Sequence, residues 1–175
     1  MAVEKGLPEN IIKFIKEQKI FFVATAPLDV KGNFPNLSPK GRDSLHVIDN
    51  KTLMYVDYHG SGNSTALHLS ETGRVTLMFM SVDGKPMILR VYCAGAALSL
   101  DSRDGKALVE KLGLKLEPYA RQLIVMSVES FKTTCGLFVP YFQYLGERNM
   151  ALSMLRRPSS ALGDIVRFIR VKIKG

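Results

Sequence analysis

The sequence predicts a mainly β fold: an antiparallel barrel of six or so strands, with short helices packed outside it. Three observations carry this expectation. Apolar, β-branched runs of strand length recur along the chain, and tight-turn residues separate most of them. Only three short segments have helical periodicity. The alternating strand–helix rhythm of a parallel sheet is absent.

The elements follow in order. Pro8 to Lys19 reads as a helix, with Ile11, Ile12 and Ile15 on one face and Lys13, Lys16 and Glu17 on another. Ile20–Ala26 is β-branched and aromatic, a buried strand, and Pro27–Phe34 carries the Pro, Asp, Gly and Asn of a hairpin connection. Pro35–Gly41 is the returning strand and Leu45–Ile48 the next. Asp49-Asn50-Lys51 then turns the chain into a strand over Thr52–Tyr58. His59-Gly60-Ser61-Gly62-Asn63-Ser64-Thr65 is a polar loop that opens a short helix through Glu71. Val75–Val82 and Ile88–Leu100 are strands around an Asp83-Gly84-Lys85-Pro86 turn. Asp101–Leu112 is a helix, and Arg121–Thr134 a long final strand.

Length and composition exclude several classes. The chain has 175 residues, 46% apolar and 23% charged, the balance of an ordinary globular domain rather than a collagen-like or disordered one. The longest apolar runs, Ile20–Ala26 and Val75–Met80, are far too short to cross a bilayer as helices. No apolar h-region follows the charged N-terminus, so no secretory signal is expected. Two cysteines, Cys93 and Cys135, build neither a disulfide framework nor a four-cysteine metal site, and a reducing, cytoplasmic compartment is the default. The formal charge of +8 is uneven: residues 148–175 hold seven basic residues against Asp164 alone, leaving the body at +2. No nucleic-acid partner is therefore expected for the body. The basic tail permits at most a weak contact with an anionic membrane surface.

The polar loop is where chemistry concentrates. A phosphate is best met by cations and by backbone N–H groups at a loop-to-helix junction, where the helix dipole also favours negative charge. Gly60 to Thr65 supplies such a junction, although Ser and Thr also serve as plain helix caps. Two strand cations add weight. Lys40 lies in Ser38-Pro39-Lys40-Gly41, and Arg90 interrupts the apolar strand Ile88-Leu89-Arg90-Val91-Tyr92. A strand cation needs an anionic partner or an exposed face. The expectation is that Lys40, Arg90 and the loop gather around one phosphate.

The motifs Ser38-Pro39-Lys40-Gly41-Arg42-Asp43-Ser44, Tyr55-Val56-Asp57 with Gly60-Ser61-Gly62-Asn63-Ser64-Thr65, His68 with Gly73-Arg74-Val75-Thr76-Leu77-Met78-Phe79, and Ile88-Leu89-Arg90-Val91-Tyr92 occur in that order. Thr134-Cys135-Gly136 with Val139-Pro140 and Glu147-Arg148 follows them. This series resembles the pyridoxamine 5′-phosphate oxidase-like family, in its uncharacterised branch. The resemblance implies a split β-barrel over residues 1–150 that binds FMN at a homodimer interface, followed by a basic tail over 151–175. It implies that Lys40 contacts the flavin, that Ser64 and Thr65 lie at the phosphate loop, and that Arg90 faces the cofactor from the next strand. Ser38 and Asn63 are implied as further contacts. Ser64 is a departure: family members carry a basic residue or an acid there. Leu137-Phe138 likewise replaces an aromatic–small pair. The implied activity is that of a flavin-dependent oxidoreductase of unnamed substrate. The alternatives are a non-catalytic holder of flavin, haem or deazaflavin on the same barrel, and a basic membrane- or nucleic-acid-associated adaptor.

Other residues carry less. His46, His59 and His68 lack H-E-x-x-H spacing, so no zinc site is expected, and His68 is read as a structural hydrogen-bonding group. Cys135 is read as a small buried apolar residue, with a redox role as the minority alternative. Phe21, Phe22, Met54, Tyr55, Met78 and Phe79 suit either the walls of a flavin slot or an ordinary core. Arg156-Arg157-Pro158-Ser159 has the pattern of a basophilic kinase site.

Overall fold

The computed structural model describes residues 6–29, 31, 33–60 and 62–148. The tail and the Arg156–Ser159 pattern lie outside them. The chain divides into a compact unit ending at Tyr144 and a second unit, Leu145–Gly175, of which only 145–148 are described.

Among the described residues the first unit contains ten elements: α1 (Glu9–Glu17), β1 (Phe21–Thr25), β2 (Asn36–Lys40), β3 (Leu45–Val47), β4 (Thr52–Tyr58), α2 (Ser64–Thr72), β5 (Arg74–Met80), β6 (Ile88–Ser99), α3 (Arg103–Lys111) and β7 (Ala120–Thr134). The seven strands form one antiparallel sheet in the order β2-β1-β5-β6-β7-β4-β3. β2 and β3 lie at opposite ends of that order, yet only Gly41-Arg42-Asp43-Ser44 joins them. Four residues cannot span a flat seven-stranded sheet, whose strands are ~4.8 Å apart. The sheet must therefore curl until its edges nearly meet, and β2 and β3 do not hydrogen-bond to each other. This is the split barrel, mainly β with three short helices.

The β2–β3 turn is tight. Ser44 N–H donates to Gly41 O at 3.2 Å, and Arg42 and Asp43 between them have φ of 61° and 51°. Two successive left-handed residues without glycine make this a strained point of the backbone.

The pleat sorts the side chains. β1 alternates buried and half-buried from Phe21, and β5 does the same from Val75. Phe21, Val23, Leu77, Phe79, Leu89 and Val91 face the barrel interior and are all within 4% of complete burial. Phe21 stacks on Phe79 at 5.9 Å between ring centroids and meets Tyr55 edge-on at 5.8 Å. Each such side chain contributes about 1.5–3 kcal/mol of burial. α1 adds Ile11 and Ile15 to the same core, leaving Lys13 and Glu17 in solvent. A second cluster lies on the other face of β4, where Met54 and Val56 pack with Leu123 under Leu108 and Leu112. Phe21, Tyr55 and Phe79 are thus core residues. Phe22 and Met78 occupy the outer face, half-buried.

Helix ends follow ordinary rules at α3, whose cap Ser102 accepts from Gly105 N–H at 3.0 Å. α2 ends at Gly73, whose φ of 65° is the left-handed conformation that stops a helix. Its beginning is different and belongs to the site.

Candidate functional site

Asp57 is the centre of a polar network at one end of the barrel. It follows the buried Tyr55 on the inner face of β4 and is itself 2% exposed. A buried carboxylate requires donors, and three residues provide them. Lys40 Nζ reaches Oδ1 at 3.2 Å. Arg121 donates to Oδ2 from Nε at 3.1 Å and from a terminal nitrogen at 2.6 Å. Gln122 Nε2 donates to Oδ2 at 2.9 Å. Burial pushes this carboxyl up, but the hydrogen bonds from Arg121 and Gln122 and the charge of Lys40 outweigh it and hold it below the usual carboxylate range.

Arg121 and Gln122 are consecutive, and on a regular strand they would point to opposite faces. A bulge resolves this. Asp57 pairs with Gln122 and Tyr58 with Ala120, so Arg121 is the extra residue that the bulge turns inward. Lys40 arrives from the far edge of the sheet, on the same face as its partner Phe21, and sits over the Tyr55 ring at 5.7 Å.

The network continues to the polar loop. Arg121 Nη1 donates to Gly62 O at 3.1 Å, and Gln122 Nε2 donates to Asn63 Oδ1 at 2.8 Å. From β2, Ser38 Oγ donates to Asn36 Oδ1 at 3.0 Å, and Asn36 Nδ2 donates to Thr65 Oγ1 at 3.1 Å. Beneath α2, the buried His68 Nδ1 meets Thr25 Oγ1 at 3.0 Å, so His68 is a structural hydrogen-bonding group.

The start of α2 is left open. The first backbone bond of the helix runs from Leu67 N–H to Asn63 O, so the N–H groups of the first turn have no intrahelical partner. Asn63 stands at the cap position, with φ −134° and ψ 27°, and makes no side-chain cap bond. No acid lies in the first turn. Asn63 and Ser64 are exposed, Thr65 is buried, and the Tyr55 hydroxyl beside Thr65 is fully buried without a hydrogen-bond partner of normal geometry. Burial and the Asp57 charge both push the Tyr55 phenol up, keeping it protonated.

Five of the six expected residues, Ser38, Lys40, Asn63, Ser64 and Thr65, thus lie at one end of the barrel, around Asp57 and the start of α2. Arg90 does not join them, which corrects the expected convergence. Register is the reason. Lys40 pairs with Phe21, which faces inward, whereas Arg90 pairs with Met78 and, across it, Phe22, which face outward. Leu89 and Val91 on either side of Arg90 are wholly buried, so its side chain emerges on the opposite face, where Nη1 donates to Thr134 Oγ1 at 3.2 Å. Arg121, Gln122, Asp57 and Asn36 are the members that sequence reasoning missed. Cys135 is also a correction: it is exposed, and Cys93 is the buried cysteine. The Cys93 thiol is pushed up to about 12, by burial and then by Glu129. No cluster of metal-ligating residues occurs among the described residues.

Residues 7–135 match the family described as pyridoxamine 5′-phosphate oxidase, which is well over half of the chain. This chain belongs to that family. A curated relative, the pyridoxamine 5′-phosphate oxidase family protein ustO of Aspergillus flavus, is 35% identical over 138 residues, 78% of this chain. The chain spans 55% of that relative's length. Among solved structures, a pyridoxamine 5′-phosphate oxidase-like protein of Lactobacillus delbrueckii superposes with a TM-score of 0.58 at 18% identity, over 75% of this chain and 98% of its own. A single-residue variant of HupZ from group A Streptococcus gives 0.56 at 17% identity, over 73% and 99%. At these identities the structures share the fold of this oxidase-family chain and nothing finer. No helix among the described residues is long and apolar enough to cross a membrane.

Proposed function

We propose that this chain binds FMN, with the flavin phosphate at the open start of α2, and serves as a flavin-dependent oxidoreductase. The observation that carries the reading is the uncapped first turn of α2 beside two cations. Its free N–H groups and unopposed dipole suit an anion. Lys40 and Arg121 set two positive charges against the single charge of Asp57, leaving the network one unit positive. The Ser64 hydroxyl is exposed at the same turn, and Ser38 and Asn36 hold Thr65 from below. Those features fit a phosphate dianion. Arg90, on the other face, is outside this phosphate site.

FMN when bound supplies the electron-transfer chemistry. The chain's part is to hold and orient it. Arg121 fixes the loop through Gly62, Lys40 closes the gap between the sheet edges, and the protonated Tyr55 lines the floor. No side chain here is assigned a proton-transfer role.

The reading includes a homodimer. The segment after β7 leaves Leu137, Phe138, Tyr141 and Phe142 exposed by 59–103%, and it is held in place by a bond from Phe142 N–H to Val82 O at 3.0 Å. Gly136 allows that path, since a Cβ there would come within 2.9 Å of Met87 N. Phe34 and Tyr144 are also exposed, by 85% and 52%. At ~200 Å² per aromatic side chain, the exposed parts of Phe138, Tyr141 and Phe142 offer roughly 490 Å², over half of the ~800 Å² per partner of a stable interface.

The test is the visible spectrum of the purified protein, with mass spectrometry of what denaturation releases. FMN and absorbance near ~450 nm support the reading, and reduction by NADPH with reoxidation in air supports the oxidoreductase part. A Soret band or a released deazaflavin would replace FMN with that cofactor.

A further inference from the structure

We infer that Gln122 is a positioning residue that holds Asn63 off its own helix and so keeps the first turn of α2 open for a phosphate; the phosphate part rests on the FMN reading above. Asparagine is among the best helix caps, because its side-chain oxygen accepts from the N–H two or three residues on. Asn63 stands where that bond would form and does not form it. Its oxygen is taken instead by Gln122 Nε2 at 2.8 Å. The backbone agrees: ψ is 27° at Asn63, against 155° at Ser102, which caps α3 in the extended conformation usual for a cap.

Gln122 can do this because of where it is anchored. A glutamine amide has two N–H donors, and here both are used, one on Asp57 Oδ2 at 2.9 Å and one on Asn63 Oδ1. Both neighbours are acceptors, which fixes the orientation of the amide. Asp57 is fixed in turn by Lys40 and Arg121. The buried carboxylate thereby governs the cap at a distance: Asp57 orients Gln122, and Gln122 occupies the group that would otherwise satisfy the helix. The Tyr55 hydroxyl is fully buried beside Thr65 of this turn, so a polar group also lies beneath the open end.

An anion arriving at this turn does not have to displace an internal acceptor. Without Gln122, Asn63 would swing to the cap and compete with the anion. The expected loss of affinity is about two- to thirty-fold, the equilibrium factor of one N-cap.

The experiment uses the full chain and the variants Gln122→Leu, Gln122→Met and Gln122→Leu with Asn63→Ala. Amide exchange of Thr65 and Ala66 is measured first, without flavin. These amides should exchange freely in the parent, become protected in either Gln122 variant and exchange freely again in the double variant. FMN affinity is then measured and should fall in the single variants and recover in the double one. A merely structural role for Gln122 would not be rescued by removing a second side chain. If Thr65 and Ala66 are equally protected in the parent and in both Gln122 variants, the inference is overturned, whatever happens with FMN. If the amides respond as stated but the parent binds no FMN, the open helix end stands and the FMN reading falls.

Discussion

Replacing Asp57 with Asn tests the network at its centre. The substitution keeps the shape but removes the charge, and with its oxygen kept toward Arg121 and Gln122 it turns the acceptor that faces Lys40 into a donor. Breaking a buried ion pair by removing one partner costs about 3–5 kcal/mol. Here the stranded cations are not sealed in: the Lys40 side chain is 25% exposed and that of Arg121 19%. Partial rehydration lowers the cost to about 2–4 kcal/mol. At roughly 2–4 °C per kcal/mol for a chain of this size, the midpoint of thermal unfolding should fall by about 4–16 °C at pH 7. The pH dependence adds a sign. The Asp57 carboxyl lies below its unfolded value of ~3.9, so its stabilisation is fully present above that pH. It is lost as the pH falls through the lower folded value. Denaturant titrations of the two proteins from pH 7 to pH 2 should therefore show a gap that closes under acid. A variant within ~0.5 kcal/mol of the parent at pH 7, or a gap that persists undiminished to pH 2, would refute the reasoning.

Other outcomes follow from single contacts. Arg90 and Lys132 are direct cross-strand partners of like charge on the outer face; Lys132→Glu should raise stability by about 0.2–1 kcal/mol in low-salt denaturant titration. Burial holds His46 below its ordinary value, and Asp43 offsets only part of this. The unfolded chain therefore binds the extra proton first, and stability should decline as the pH drops below ~6.5, a slope that His46→Gln removes. Cys135 should react with a maleimide in the native protein, whereas Cys93, its thiol pushed up to about 12, should react only on unfolding. Light scattering should give twice 19.5 kDa for the parent; Phe138→Asp with Tyr141→Asp should give the single mass.

Most of the fold was legible because its signals are local. β-branched and aromatic runs of strand length mark β1 and β5, the spacing of Ile11 and Ile15 marks α1, and the polar Gly60–Thr65 loop marks the start of α2. The site was legible only in part. Lys40 and the Gly60–Thr65 loop stand out in the sequence as a strand cation and a loop-to-helix junction. Arg121 does not, because it reaches Asp57 only through a bulge, and a one-residue irregularity leaves no mark in a fifteen-residue strand. Asp57 follows a run of buried apolar residues and reads as the polar end of a strand. Arg90 misled for the converse reason. Its type suits a phosphate, but which face it occupies depends on registers between β1, β5 and β6 that are set by non-local pairing.

In the proposed site a phosphate is held at the start of α2 by the helix end, Lys40 and Arg121. Titrating the cofactor-free protein with FMN and with riboflavin, which lacks only the phosphate, tests it most directly. A charge-assisted bond contributes about 1.5–3 kcal/mol, so FMN should bind at least ~10-fold more tightly than riboflavin. Arg121→Met should erase most of that preference while leaving riboflavin affinity nearly unchanged. Equal affinities for the two flavins in the parent protein would contradict the account.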